Sequence, residues 1–368
     1  MENILFLINH AGKAGTERYV RMLAENADNF GMRPFFAYNE PGLLLEQLQE
    51  IGVECRHLHL SRPFDIAAAR ALALLCEDWK IGIIHTNYLR ENYIAILSKI
   101  FYNKYIKVIY TNHYVTPVDF HVKLANKIMT RANHKIISVC EAGVVNLINN
   151  GYEKKKISII HNGVDPLIWR PGSNYSGIRA EARREYGIGE DEKVFLCASR
   201  FAHDKGHNFL VESLAMLADL YGVKRLRVLL AGDGPLEHDI RAQVEIRGLS
   251  DVVVFLGFIK DMKPLFYASD VYVNPSQHEA SSFLILEALA SGLPVIAANM
   301  GGNCEIINEQ NGCGALIEYG NAAALCDAIQ MYRTDDPLLN EASRKALLII
   351  ENKFSLDDML AKTFASFY

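Results

Sequence analysis

Short apolar segments rich in β-branched residues alternate with longer helix-forming segments along the whole chain, and this alternation restricts the fold more than any other feature. It is typical of an α/β protein in which helices connect the parallel strands of a sheet. In the first part of the sequence, strands are predicted at residues 4–8, 34–38, 53–58, 82–85, 107–111, 135–139 and 157–160.

Turn residues interrupt this pattern at residues 162–166 and 170–173, and the alternation resumes at Lys193. Further strands are predicted at residues 194–198, 227–231, 252–256, 271–273, 294–297 and 314–316. A chain of 368 residues, half of them apolar, is long enough for two domains. We therefore predict two doubly wound domains, residues 1–165 and 166–355, facing each other across a ligand-binding cleft.

Composition excludes several classes of protein. The seven cysteines are scattered and form no C-x-x-C pair, which disfavours a disulfide framework and a zinc site and favours a cytoplasmic protein. The apolar run at residues 4–8 is too short for a signal peptide or a membrane span. A net charge of −5 argues against a nucleic-acid-binding protein.

Positive charge is concentrated in residues 97–137, where seven lysines and arginines accompany the single acid Asp119. Residues 120–131 within this segment are compatible with a basic amphipathic helix. Such a helix suits peripheral contact with an anionic membrane, here the inner face of the cell membrane. An ordinary solvated helix face explains the same pattern, and the sequence leaves both interpretations open.

Glu279 and Glu287 lie eight positions apart, on either side of a predicted loop-to-helix junction. Two carboxylates can act as acid and base in glycoside hydrolysis when they are roughly 5–9.5 Å apart. Eight residues of continuous helix would instead separate them by about 12 Å. We therefore interpret the pair as binding separate parts of one long ligand. The alternative is a solvated loop residue and an ordinary helix surface charge.

Arg200 and Lys205 follow the strand predicted at residues 194–198. A guanidinium fork and an ammonium group at a strand end suit a diphosphate, and they can neutralise a departing phosphate without a metal. The alternative is a solvated surface loop. His113 also follows a predicted strand, and a lone histidine at such a place is either structural or catalytic.

Three glycine turns join predicted strands to helices, at residues 10–17, 231–235 and 300–305. Such turns allow close backbone approach to a ligand, and the last of them offers amides and a helix N-terminus to an anion. None has the G-x-G-x-x-G or G-x-x-x-x-G-K-[ST] spacing, so a dinucleotide dehydrogenase and a Walker-type NTPase are poorly supported. Several strand ends therefore offer ligands for anions or hydroxyls, as a nucleoside diphosphate sugar requires.

Taken in order, these segments resemble the retaining GT-B glycosyltransferases of glycosyltransferase family 4, the group 1 glycosyltransferases. The most specific similarity is the Glu279 to Glu287 pair followed by residues 288–297, Gly301-Gly302 and residues 305–307. The resemblance covers nearly the whole chain. It implies two Rossmann-like domains and a terminal helix, residues 356–368, that packs back on the first domain.

The resemblance also implies a hexosyltransferase (EC 2.4) that acts in the synthesis of cell-surface polysaccharide or glycolipid. Its donor would be a nucleoside diphosphate sugar, most simply a UDP- or GDP-sugar, and its acceptor a sugar, a lipid-linked molecule or a polysaccharide. No cofactor and no metal are expected. A nucleotide-sugar 2-epimerase of the same fold and a non-catalytic partner subunit are the alternatives.

Family roles can be assigned to individual residues through the resemblance. Arg200 and Lys205 would bind the donor diphosphate, Glu287 the ribose hydroxyls and Glu279 the donor sugar, which His113 would also approach. The remaining donor-binding residues implied are Gly15, Ser199, Gly232, Phe258, Ile259, Ser281, Ser282 and Phe283. The chain has Ala280-Ser281-Ser282 where the family usually has a Gly-Phe-Gly-like run, which leaves the donor sugar open.

Overall fold

The computed structural model describes residues 1–368 and contains two compact units. The first unit comprises residues 1–162 together with residues 357–368, and the second comprises residues 163–356. The domain boundary predicted after residue 165 lies three residues beyond the end of this first segment. None of the helices combines the length and the apolarity needed to cross a bilayer.

The first unit is built on a seven-stranded parallel sheet with the order β3-β2-β1-β4-β5-β6-β7. Its strands are β1 (Glu2–His10), β2 (Met32–Glu40), β3 (Glu54–His57), β4 (Ile81–Thr86), β5 (Lys107–Asn112), β6 (Lys135–Ser138) and β7 (Ile157–Ile159). Its helices are α1 (Gly15–Asn26), α2 (Leu43–Glu50), α3 (Ile66–Asp78), α4 (Leu89–Phe101), α5 (Phe120–Met129) and α6 (Glu141–Asn149).

The second unit repeats this architecture with six parallel strands in the order β10-β9-β8-β11-β12-β13. The strands are β8 (Lys193–Ala198), β9 (Leu226–Ala231), β10 (Val253–Gly257), β11 (Val271–Asn274), β12 (Val295–Ala298) and β13 (Gly314–Ile317). The helices are α7 (Pro166–Trp169), α8 (Tyr175–Glu185), α9 (His207–Tyr221), α10 (Glu237–Ile246), α11 (Lys263–Ala268), α12 (Phe283–Ala290), α13 (Asn303–Ile306), α14 (Ala322–Thr334) and α15 (Asp336–Lys353).

Both sheets confirm the predicted α/β class, and every predicted strand overlaps an observed one. The central strands are apolar along their whole length because helices cover both faces of a parallel sheet. In β1, for example, residues 4–8 are fully buried. In β8, residues 194–198 are at most 4% exposed.

The last helix, α16 (Leu356–Ala365), contributes to the core of the first unit. Phe364 stacks on Phe30 at a centroid distance of 4.5 Å, and the Phe367 ring lies 5.6 Å from that of His85. Lys107 Nζ donates a 3.0 Å hydrogen bond to the carbonyl oxygen of Phe367. The end of the chain is therefore a structural part of the first unit.

Replacing Phe367 by alanine should lower the free energy of unfolding by about 3–5 kcal/mol, the usual cost of emptying a buried aromatic site. The neighbouring Tyr368 is 67% exposed and contacts Lys107 by a cation–π interaction, so Tyr368→Ala should cost ~1 kcal/mol or less. Urea denaturation of both variants measures the difference. Equal losses in the two variants would show that α16 does not complete this core.

Candidate functional site

The strand order of the second unit reverses between β8 and β11, where sheets of this type bind their ligands. From β8 the chain proceeds outward through β9 to β10, and it then returns to the other side of β8 as β11. The loops that follow β8 and β11 begin at residues 199 and 275. They carry six of the thirteen predicted site residues, namely Ser199, Arg200, Lys205, Glu279, Ser281 and Ser282.

These two loops pack directly against each other. Gly206 has a φ of +73°, and a β-carbon at this position would lie 2.1 Å from the carbonyl oxygen of Pro275. The Gln277 amide donates a 2.8 Å hydrogen bond to the carbonyl oxygen of Asp204. A side chain at residue 206 would force the loops apart, so glycine there sets their separation.

Lys205 and Glu279 meet across the junction of the two loops. The Lys205 Nζ to Glu279 Oε1 distance is 2.9 Å, and the two side chains are 20% and 16% exposed. Asp204 lies on the same ammonium group at 3.7 Å. Arg200 is exposed on the loop after β8. The structure thus brings together Lys205, which is predicted to bind phosphate, and Glu279, which is predicted to bind the donor sugar.

A third loop fixes the backbone of Glu279. The Gly302 amide donates a 3.2 Å hydrogen bond to the carbonyl oxygen of Glu279. Gly301 has a φ of +56°, and a β-carbon there would lie 1.6 Å from that same oxygen. The helix that follows, α13, has only four residues, so its dipole is far smaller than the sequence analysis assumes.

Glu287 is 1% exposed and is the fifth residue of α12, which begins at Phe283. The predicted loop-to-helix junction between the two glutamates is therefore present, and the 12 Å estimate for continuous helix does not apply, because residues 279–282 precede the helix. Burial raises the pKa of Tyr272 well above its usual value, with further contributions from Cys197, Glu279 and Glu287. The charges of both carboxylates therefore act on the Tyr272 hydroxyl.

The residues between the two glutamates lead into α12. Ser282 is the N-cap residue of the helix, and its backbone is extended. The Phe283 side chain is buried, being 6% exposed, so only its backbone faces the surface of the loop. Ser281 and Ser282 are partly exposed and lie on the side of the helix start where Glu279 is found.

The end of β9 lies beside the end of β8. The Ser199 amide donates a 3.0 Å hydrogen bond to the carbonyl oxygen of Ala231, and the Gly232 amide donates one of 2.7 Å to that of Gly257. A β-carbon on Gly232, whose φ is +137°, would lie 2.0 Å from the Ser199 carbonyl oxygen. Two residues predicted to bind the base, Phe258 and Ile259, come directly after Gly257 at the end of β10. Phe258 is half exposed.

Sequence reasoning missed His207, which supports the loop after β8 from beneath. Its ring stacks on Phe201 at 4.3 Å, and its Nε2 lies 3.4 Å from Ser199 Oγ. Burial, together with a smaller effect of the Lys205 charge and against the opposing effect of Asp204, lowers the pKa of His207 to about 4. The imidazole is therefore neutral at pH 7. The signal in the sequence was its position immediately after Gly206.

Two predicted site residues, Gly15 and His113, lie in the first unit, and the other eleven lie in the second. Gly15 is exposed and is the first residue of α1. His113 follows β5, and its Nε2 lies 3.0 Å from Asn87 Oδ1 beyond the end of β4. Burial lowers the pKa of His113 to about 3. This histidine is therefore a neutral hydrogen-bonding group and not a cation.

A pair of buried carboxylates, Glu17 and Glu91, lies near the ends of β1 and β4, and only Glu17 was part of a predicted motif. Tyr88 Oη donates a 3.2 Å hydrogen bond to Glu17 Oε1, and the Asn9 amide donates one of 2.5 Å to Glu91 Oε1. Burial raises the pKa of Glu91 to about 7. Glu17 belongs to the predicted glycine loop, whereas Glu91 lies inside α4 and has no motif around it.

Two family models match this chain. Residues 14–166 match the model described as "Glycosyltransferase Family 4", and residues 178–347 match the model described as "Glycosyl transferases group 1". The chain is 27% identical to the N-acetyl-alpha-D-glucosaminyl L-malate synthase of Bacillus anthracis, over 83% of this chain and 79% of that enzyme. It is 30% identical to the UDP-Gal:alpha-D-GlcNAc-diphosphoundecaprenol alpha-1,3-galactosyltransferase of Escherichia coli, over 55% and 51% of the two chains.

Solved structures share the fold over the full length. Alr3699/HepE of Anabaena in complex with UDP superposes with a TM-score of 0.87 at 19% identity, and the match covers all of both chains. A glycosyltransferase from Rickettsia africae ESF-5 also gives 0.87, at 23% identity, over 100% of this chain and 98% of that one. The two Rossmann-like units thus have the GT-B fold.

Acidification should destabilise the protein through its buried histidines. Burial lowers the pKa of His207 to about 4 and that of His85 to about 3, whereas an unfolded histidine titrates near 6.5. Because the folded-state pKa is depressed, this stability is complete above pH 6.5 and is lost as the pH falls toward 4, by about 1.4 kcal/mol per pH unit for each site.

The variant His207→Gln should therefore show a shallower fall in unfolding free energy between pH 6.5 and 4.5 than the unaltered protein. His238 has a 95% exposed side chain, so His238→Gln should leave the slope unchanged. Urea titrations at several pH values measure both slopes. A slope in His207→Gln equal to that of the unaltered protein would show that His207 is protonated in the folded state.

Proposed function

Because this chain belongs to the group 1 glycosyltransferases of glycosyltransferase family 4, we propose that it transfers a sugar from a nucleoside diphosphate sugar to a hydroxyl acceptor with retention of anomeric configuration. The observation that carries the proposal is the meeting of Lys205 and Glu279 at the switch point of the second sheet. The side chain proposed to bind phosphate and the side chain proposed to bind the sugar are joined there by one hydrogen bond.

The diphosphate is bound by Lys205 and Arg200. Both follow β8, and the loop that carries them is held by Gly206 at close range to the loop of Glu279. Two cations beside the diphosphate stabilise the negative charge that develops on it as it leaves. His207 keeps this loop in place as a neutral ring, so it adds no competing charge near Lys205.

The rest of the donor extends along the same edge of the sheet. Glu287 binds the ribose hydroxyls, and its burial in α12 gives its carboxylate a fixed position. The base lies against the backbone at Phe258 and Ile259, next to the glycine turn at Gly232. Glu279 binds hydroxyls of the donor sugar.

Transfer on the same face of the sugar balances without a further reactant. The bond between the anomeric carbon and the diphosphate oxygen breaks, and a bond from the acceptor oxygen to that carbon forms. The acceptor proton passes to the leaving diphosphate oxygen. Lys205 and Arg200 stabilise this oxygen, which supports a metal-independent reaction. We propose that no metal takes part, so activity should persist in EDTA.

A UDP-sugar donor is supported by two relatives. The Anabaena protein was solved with UDP and with UDP-glucose, and the Escherichia coli enzyme is a UDP-Gal transferase that acts on a diphosphoundecaprenol-linked sugar. We propose a UDP-sugar donor and a lipid-linked or polysaccharide acceptor for this chain as well. The positions occupied by Ala280-Ser281-Ser282 add hydroxyl groups beside Glu279, and we propose that they select the sugar.

Replacing Lys205 by alanine should reduce turnover at least ~10²-fold, as expected when a charge contact to the transition state is lost. Lys224 is exposed in the same unit, so Lys224→Ala should leave turnover unchanged. Release of UDP from a UDP-sugar in the presence of acceptor extract measures both, and NMR of the product's anomeric proton tests retention. Unaltered turnover in Lys205→Ala would overturn the assignment.

The basic segment has an exposed apolar stripe. Phe120, Leu124 and Ile128 follow one another at four-residue intervals on α5 and are 74%, 51% and 62% exposed. Lys123, Lys127 and Arg131 accompany them along the same segment. Apolar side chains flanked by basic ones complement the hydrocarbon and the negative headgroups of an anionic bilayer. We therefore propose that α5 is a peripheral membrane-binding helix.

A second exposed cluster lies at the end of α4, where Phe101 is 60% and Tyr105 is 82% exposed on either side of Lys104. Lys99 Nζ donates a 3.0 Å hydrogen bond to the carbonyl oxygen of Ala132, which joins this end of α4 to the turn after α5. The two clusters therefore belong to one part of the first unit. Aromatic side chains with a polar edge suit the interface between headgroups and hydrocarbon.

The protein should sediment with anionic phosphatidylglycerol vesicles and much less with neutral phosphatidylcholine vesicles, and salt should weaken this binding steeply. Leu124→Glu should abolish it because it places a negative charge in the apolar stripe. Ile246 is 84% exposed on the second unit, so Ile246→Glu is the matched control and should bind normally. Equal sedimentation with both kinds of vesicle would exclude the proposal.

A further inference from the structure

We infer that Glu279 promotes release of the product nucleoside diphosphate by competing with it for Lys205, an inference that rests on the proposed function. The ammonium group assigned to the diphosphate has an anionic partner within the protein. Its Nζ lies 2.9 Å from Glu279 Oε1, and both side chains are more than three-quarters buried. A bound diphosphate must displace this carboxylate or share the ammonium with it.

The pairing is enforced by the backbone. Gly206 abuts the Pro275 carbonyl, Gln277 is hydrogen-bonded to Asp204, and Gly301 abuts the carbonyl of Glu279 itself. The two loops cannot move apart without breaking these contacts. Lys205 and Glu279 therefore return to each other whenever neither holds a ligand, and their partial burial makes the attraction stronger than on an open surface.

An intact donor satisfies both groups at once. Its sugar hydroxyls donate hydrogen bonds to Glu279, and Lys205 is then free to bind the phosphates. After transfer the sugar has left, and the carboxylate of Glu279 has lost its hydrogen-bond donors. It draws Lys205 back and weakens the hold on the nucleoside diphosphate. The same residue thus favours the substrate and disfavours the product.

Calorimetric titrations of the full chain with UDP, GDP and ADP, and with the matching nucleotide-glucose, test this inference. In Glu279→Gln, the nucleoside diphosphate that binds the unaltered protein best should bind about fivefold more tightly, since a partly screened ion pair no longer opposes it. The nucleotide sugar should bind equally well or more weakly. Tighter binding of the nucleoside diphosphate without tighter binding of the nucleotide sugar is an outcome that a purely structural role of Glu279 would not produce.

Removing any negative charge near the site strengthens anion binding to some degree, so two controls are needed. Asp204 lies 3.7 Å from the same ammonium, and Asp204→Asn removes an equal charge, yet it should tighten the diphosphate less than Glu279→Gln does. In a Lys205→Met background, Glu279→Gln should no longer tighten it. Thermal unfolding of each variant establishes that it is folded.

The possible failures can be told apart. If no nucleoside diphosphate binds the unaltered protein, the proposed function itself is wrong. If one binds, but Glu279→Gln leaves its affinity unchanged or lowers it, the competition is excluded while the proposed function stands. Tightening that is equal in Glu279→Gln and Asp204→Asn, or that persists in Lys205→Met, also excludes it.

Discussion

Direct contact between backbones, made possible by missing β-carbons, determines the arrangement of the site in the second unit. At Gly206, Gly232, Gly234 and Gly301, a β-carbon would lie 1.6–2.5 Å from the carbonyl oxygen of another loop, and all four residues have positive φ. The loops after β8, β9, β11 and β12 are therefore stacked without intervening side chains. The position of the Lys205 and Glu279 head groups follows from this stacking.

The same stacking explains why buried side chains behind the loops are polar. His207 lies under the loop after β8 and is neutral because burial lowers its pKa to about 4. Tyr272 donates a 3.0 Å hydrogen bond to the carbonyl oxygen of Ala198, and burial raises its pKa well above its usual value. Both groups hold backbone or side-chain atoms by hydrogen bonds without adding charge. Neither group therefore adds a charge beneath Lys205 and Glu279.

The strands could be predicted because the parallel sheets bury both of their faces, which leaves continuous apolar runs in the sequence. Arg200 and Lys205 could be placed at a strand end for the same reason. The loop-to-helix junction between Glu279 and Glu287 could also be predicted, whereas the contact of Glu279 with Lys205 could not, because it depends on how the loops after β8 and β11 pack. His207 and Glu91 were missed because their roles come from burial by distant segments, which local sequence does not reveal.

The two crossings of the chain between the units lie side by side. The Val164 amide donates to the Phe354 carbonyl oxygen at 3.0 Å, and the Leu356 amide donates to that of Val164 at 2.9 Å. Beyond the second crossing, α16 places Phe364 and Phe367 in the core of the first unit. During synthesis, the ribosome must therefore complete the entire second unit before the first can close its core. The unit whose sheet is made first consequently cannot acquire its complete core until the last residues of the chain have emerged.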